Sequence, residues 1–382
     1  MKGLLLTLLF FLLSLISVSG QKDTLFWFVA PEISKHVANF DLPIVFRITT
    51  YDQPADVIIS QPAGAGMPDQ HVQISPNSTK TVDLSQWLDI IENKPANAKL
   101  NYGLKISSST PVCVYYEVVS EQCRCNPEIY VLKGQNALGQ EFYIPSQNLL
   151  KNSDIYTPRP YSAFDIVATE NNTNISITPS SDITGHTAGI PFTVTLNEGQ
   201  TYSAAATGNL AAEHLMGSKV VSDKPIAITI KDDLLDGGSV FGGLSADQGG
   251  DQIVPVNILG TEYIAVKGNL YRDGDRVFIT AVEDGTGIEI NGSLVTTINK
   301  GQTYAYQIKL SAVYINLSKP AYVLQLTGIG AETSLGLLPS IKCTGSNSVS
   351  FTRATADNLY LILVVKSGGE DGFRINGNSS VI

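Results

Sequence analysis

At 382 residues the chain exceeds what a single hydrophobic core serves, so two or more domains are expected. Its 25 Lys and Arg face 35 Asp and Glu, a formal charge of −10 without any basic cluster, which argues against nucleic acid and anionic membrane surfaces as partners. Charged residues make up only 16%, a balance that suits an extracellular β protein better than a cytosolic helical one.

Residues 1–20 read as a secretory signal peptide. Lys2 gives a basic start, Leu4 to Ile16 is an apolar run, and Val18-Ser19-Gly20 supplies small residues before Gln21. The run is short for a membrane span and no second run of about 18 apolar residues follows, so no membrane insertion of the mature chain is expected.

The segment 21–135 holds the strand-like words DTLFWFVAP, PIVFRITTYDQPADVIIS, HVQISPNSTKTVDL and YGLKISSSTPVCVYYEV. Between the last two, SQWLDIIENK is the best helical signal, with Ser85 as its cap and Trp87, Leu88 and Ile91 on one face. Cys113 lies in the last word, with Cys123 and Cys125 just beyond it. In an oxidising compartment a local bridge from Cys113 to Cys123 or Cys125 is expected, since a Cys-x-Cys pair bridging itself would be strained. The four histidines have no ligand-like spacing to the cysteines, which argues against zinc.

The segments 136–256 and 257–338 repeat one another. NALGQEFYIP parallels NILGTEYIAV, and SAFDIVATENNTNISITP parallels DRVFITAVEDGTGIEING. NEGQTY at Asn197 returns as NKGQTY at Asn299, and each copy then reaches a Lys-Pro turn and an apolar strand. At 339–382, GFRINGN echoes GIEINGS, so a partial fourth round is expected, with further domains beyond Ile382. Short alternating strands divided by Gly, Asn, Asp and Pro predict an all-β fold of tandem β-sandwich-like modules. A closed, propeller-like ring of the same units is the alternative.

No HExxH, GxSxG or phosphate-loop pattern occurs. Carboxylates gather in KDDLLDGGSVFGGLSADQGGDQ and YRDGDR, where Asp232, Asp233, Asp236, Asp247, Asp251, Asp273 and Asp275 are the calcium candidates. Two of them could instead serve as the acid and base of a glycosidase. The plainer expectation is solvated turns between strands.

The words LFWFVAPEIS, NPEIYVLKGQNALGQEFYIPSQ, GSKVVSDKPIAITIKDD, GGDQIVPVNILGTEYIAV and GFRINGNSSVI, in that order, resemble the N-terminal domain family of IgG Fc-binding protein. The opening word looks like the secreted bacterial branch. The resemblance implies an extracellular β-rich binding or adhesion region without catalytic residues to carry over. The expectation is therefore a secreted or cell-surface, non-enzymatic module whose partner is an extracellular protein or glycan. An extracellular carbohydrate-active enzyme or carbohydrate-binding region using the acidic loops is the alternative.

Overall fold

A computed structural model describes residues 22–35, 39–118, 120, 127–242, 245–343, 349, 362–365, 367–369 and 372–375. The expected signal peptide, Cys123, Cys125 and most of the expected fourth module lie outside the described residues. The chain divides into two compact units, residues 1–350 and 351–382. In the second, Ile362, Leu363, Val364 and Val365 are exposed.

The first unit is almost entirely β. Its first segment holds β1 (Asp23–Phe28), β2 (Ile44–Thr49), β3 (Ala55–Ser60), β4 (Gln70–Ile74), β5 (Thr79–Asp83), β6 (Lys99–Leu100), β7 (Leu104–Val118) and β8 (Glu128–Val131). The second holds β9 (Gly139–Tyr143), β10 (Ser162–Ala168), β11 (Thr173–Thr178), β12 (Phe192–Leu196), β13 (Thr201–Ala205), β14 (Lys219–Leu235) and β15 (Asp247–Gln252). The third holds β16 (Glu262–Val266), β17 (Asn269–Leu270), β18 (Arg276–Ala281), β19 (Thr286–Ile290), β20 (Ser293–Ile298), β21 (Thr303–Gln307), β22 (Ala312–Leu317), β23 (Ala321–Gly330) and β24 (Glu332–Leu337).

Each segment turns on one long strand. The N-terminal half of β7 pairs with β1 and β3, and its C-terminal half pairs with β2 and β8. β14 does the same, first with β9 and β11, then with β10 and β15. One strand thus serves two sheets, and the side chains between them form a sandwich core. In the third segment β22 and β23 share the role, separated by Lys319-Pro320. Pro111 and Pro225 stand where β7 and β14 change sheets, the place where a missing N–H does least harm to a ladder.

The doubled phrase is one turn used twice. The Gln200 and Gln302 N–H groups donate to the Asn197 and Asn299 carbonyls at 2.9 Å in both copies. Each glutamine side-chain oxygen accepts the asparagine N–H in return, at 2.9 and 2.8 Å. Gly199 and Gly301 take φ of +75° and +77°, a region that costs glycine little. Their N–H groups bond to the Ala168 and Ala281 carbonyls, tying the turn to β10 and β18. In the first segment Asn77, at φ +51°, fills the same position before β5.

The expected helix at Ser85 is a short 3-10 turn, Ser85–Ile90, with Leu84 rather than Ser85 at its cap. The Ser85 hydroxyl instead accepts the Ile44 N–H at 3.1 Å, which fastens the turn to β2. Leu88 and Ile91 are buried as the pattern predicts.

The segments meet in two different ways. The second core continues into Phe278, Tyr322, Leu324 and Leu326 of β18 and β23, so the second and third segments share apolar packing. The face of β10, β13 and β14 turned towards the first segment carries Asp165, Ser203, Thr229, Lys231 and Asp233 instead. All five are buried, so that junction has a polar centre, flanked by the apolar contact of Trp27 and Val29 with Val167 and Ala227.

Candidate functional site

The acidic, glycine-rich stretch becomes a joint. Asp247 and Asp251 lie inside β15 and are buried, not in a solvated loop. The Asp247 carboxylate accepts the Thr333 N–H and the Ser245 hydroxyl, each at 2.7 Å. Asp251 accepts the Leu337 N–H at 3.0 Å and pairs with Lys133 Nζ at 2.6 Å. Two carboxylates four residues apart therefore hold two N–H groups four residues apart on β24. Gln252 reaches the first segment, accepting the Lys133 N–H and donating to the Trp27 carbonyl, both at 2.7 Å. Gly250 permits the close approach, since a Cβ there would lie 2.4 Å from the Ile230 carbonyl oxygen and 2.6 Å from the Tyr130 ring.

The other five aspartates are scattered. Asp232 sits 3.3 Å from His214 Nδ1 and also accepts from Ser146 and Gln147. Asp233 accepts the Ser34 N–H at 2.9 Å and its hydroxyl at 2.7 Å. Asp236 caps the short helix α1 (Gly237–Phe241) through the Ser239 N–H at 3.0 Å. Asp273 pairs with Lys267 at the surface, while Asp275 is buried and accepts the Gly268 and Leu270 N–H groups. Among the described residues, no three His, Cys, Asp or Glu side chains converge on a point where a metal could sit. Of the seven, Asp232, Asp233, Asp247, Asp251 and Asp275 are buried rather than in solvated turns, whereas Asp236 caps a short helix and Asp273 lies at the surface. Most of them satisfy backbone N–H groups that no strand carbonyl reaches. Cys113 is buried on β7 with its Sγ 2.8 Å from the Tyr51 hydroxyl.

The polar junction opens outward into a cleft of about 620 Å³. Its walls include Glu32, Lys94, Arg159, Tyr161, Thr184 and Thr207. The Tyr161 hydroxyl donates to the Glu32 carboxylate, and Lys231 Nζ lies 3.9 Å over the Tyr161 ring while donating to the Glu32 carbonyl. Behind these, Asn93 Nδ2 donates to Asp165 at 2.7 Å, and burial pushes Asp165 up to about 6 against the pull of Lys231. Burial also pushes Glu92 up to about 8, opposed by Lys94 at 2.8 Å. No word of the sequence marked this cluster, because its members come from positions far apart in the chain.

A second surface emerges when the three copies are aligned on their prolines. Lys105, Lys219 and Tyr314 each stand six residues before Pro111, Pro225 and Pro320. Their cross-strand partners are Trp27, Tyr143 and Ile264. In the first two copies lysine lies over the aromatic ring, at 5.1 and 5.5 Å. Trp27 packs on Val167 and Ala227 of the second segment, and Tyr143 belongs to the core shared with the third. Both aromatics are 3% exposed, whereas Ile264 and Tyr314 are each 37% exposed. Leu294 on β20 is exposed on the same module. The third copy thus exposes an apolar residue, Ile264, beside a tyrosine, where the other two bury an aromatic under a part-exposed lysine. Glu262 joins it, accepting from the Tyr314 hydroxyl, and Glu289 lies one strand away, accepting from Asn316 at 2.9 Å.

The profile of a family described as IgGFc binding protein matches residues 128–382. No curated protein matches the chain. One solved structure that it is similar to, a GH78 family rhamnosidase of Bacillus sp. GL1, is 8% identical with a TM-score of 0.15. That alignment covers 84% of this chain but only 54% of the rhamnosidase, and a likeness so slight says nothing about chemistry.

Proposed function

Because the chain belongs to the IgGFc-binding protein family, we propose that it is a secreted, non-enzymatic module that binds an extracellular protein. The observation carrying this reading is the exposed Ile264–Tyr314 pair, which lies within the matched residues where both other copies have a buried aromatic beneath a lysine. Tyrosine is among the residues that dominate the energetics of protein-binding surfaces. The Glu262 and Glu289 carboxylates beside it select a partner that presents basic residues around an apolar centre. A rigid sheet holds the pair in place, so little ordering free energy is lost on association. Secretion rests on the layout of residues 1–20, and adhesion is the role a surface-displayed module of this kind would fill.

The non-enzymatic reading is supported by the engagement of the acidic residues. Asp247, Asp251 and Asp275 hold backbone N–H groups, which leaves them no access to a substrate. The test is to present purified residues 21–382 to a panel of purified extracellular proteins, immunoglobulin Fc among them, and to a panel of polysaccharides. Saturable protein binding without polysaccharide turnover is expected. Turnover that disappears in Asp251→Ala or Asp275→Ala, with the fold intact, would overturn the reading.

A further inference from the structure

The cleft at the polar junction lies apart from the Ile264–Tyr314 face, and one of its walls comes from the first segment, before the family match begins at residue 128. We propose that this cleft is a binding site for an acidic sugar, a hexuronate unit within an oligosaccharide. Three features of its walls lead there.

The first is the pair of cations at the rim. Arg159 is exposed, and its guanidinium reaches the Thr207 carbonyl through one Nη only. A guanidinium offers five N–H donors in a planar fork, which fits a carboxylate. Lys94 stands on the opposite segment, half-exposed, with its ammonium 2.8 Å from Glu92. Across an acidic protein these two basic groups line one opening.

The second feature is an acceptor inside the same cleft. Glu32 takes the Tyr161 hydroxyl on one oxygen, and a carboxylate has room for several more donors. A ligand that engages both ends therefore brings hydrogen-bond donors as well as an anion. An anion without hydroxyl groups, such as acetate or sulfate, brings only the second. A hexuronate brings both groups on one ring.

The third feature is the shape of the remaining wall. Pro95 and Ala96 present a small apolar surface to the C–H face of a sugar, backed by the buried Ala205 and Ala206. Thr184 and Thr207 flank them with hydroxyl groups. The volume of about 620 Å³ admits more than one sugar unit. Clefts where two segments meet through polar contacts are also where ligands commonly sit.

The experiment is isothermal titration calorimetry of residues 21–382 with trigalacturonate, and with the neutral trisaccharide of galactose as control. Trigalacturonate is expected to bind, and the neutral sugar at least about tenfold more weakly, as loss of charge-assisted bonds implies. Arg159→Ala should weaken trigalacturonate about tenfold or more without shifting the melting temperature, and Arg159→Lys should restore part of the loss. Equal binding of the two sugars, no binding of either, or an Arg159→Ala variant indistinguishable from wild type would overturn the proposal. Tyr314→Ala should leave trigalacturonate binding unchanged, so this site and the protein-binding face stand or fall separately.

Discussion

Replacing Asp251 by alanine should unfasten the joint between the three segments. The carboxylate accepts the Lys133 ammonium at 2.6 Å, the Leu337 N–H at 3.0 Å and the Gln252 N–H at 2.8 Å. The two charged side chains are 14% and 8% exposed, so the pair is largely withdrawn from water. Removing one partner of such a pair costs about 3–5 kcal/mol, and stranding a buried N–H costs about 1–3 kcal/mol. These costs overlap, and Lys133 keeps the Val131 carbonyl at 3.2 Å and some access to water. A loss of about 4 kcal/mol follows. For a unit of this size that lowers the melting temperature by roughly 6 °C. Differential scanning calorimetry of wild type and Asp251→Ala measures it, with Asp273→Ala as the control. Asp273 pairs with Lys267 at the surface and its loss should leave the melting temperature unchanged. An Asp251→Ala protein melting within about 2 °C of wild type would refute the reasoning.

The pH dependence has a defined sign. Burial raises Asp165, Asp247 and Glu92 to about 6, 7 and 8, with the Glu332 carboxyl beside Asp247 adding to the effect there. Between the ordinary carboxyl range near 4 and those values, the folded protein holds protons that the unfolded chain has released, so stability falls as pH rises. The melting temperature should be higher at pH 5 than at pH 8, and Glu92→Gln should flatten the upper part of the fall; a rise from pH 5 to pH 8 contradicts this. Gly250→Ala should unfold the joint because of its contacts at 2.4 and 2.6 Å, whereas Gly285→Ala, at φ +67° in open space, should cost only about 1 kcal/mol. Urea titrations of the two variants separate these outcomes. Adding a calcium chelator should leave the thermal transition where it was, and a chelator-induced drop would favour the calcium reading of the aspartates.

The β class and the repeat were legible because both are written locally. Alternation in NISITP and GIEING fixes which faces are wet, and the Asn-x-Gly-Gln phrase spells a turn whose bonds all lie within a few residues. The role of Asp247 and Asp251 was not legible. Asp and Gly ordinarily mark turns, and only β24, some 86 residues away, makes β15 a buried strand. The cleft was hidden for the same reason, since Glu32, Lys94 and Tyr161 meet only after folding. The bare face lay between these extremes. Aligning the copies on their prolines places Tyr314 where lysine stands twice, but exposure at that position depends on packing that sequence does not record.

Surface plasmon resonance of wild type and Tyr314→Ala against the proteins bound in the extracellular panel tests the central claim most directly. Truncating a tyrosine at the centre of an interface typically costs about 2 kcal/mol or more, so the variant should bind at least about 30-fold more weakly with an unchanged melting temperature. Unchanged affinity in Tyr314→Ala and in Ile264→Ala would show that the third module's face is not where the partner docks.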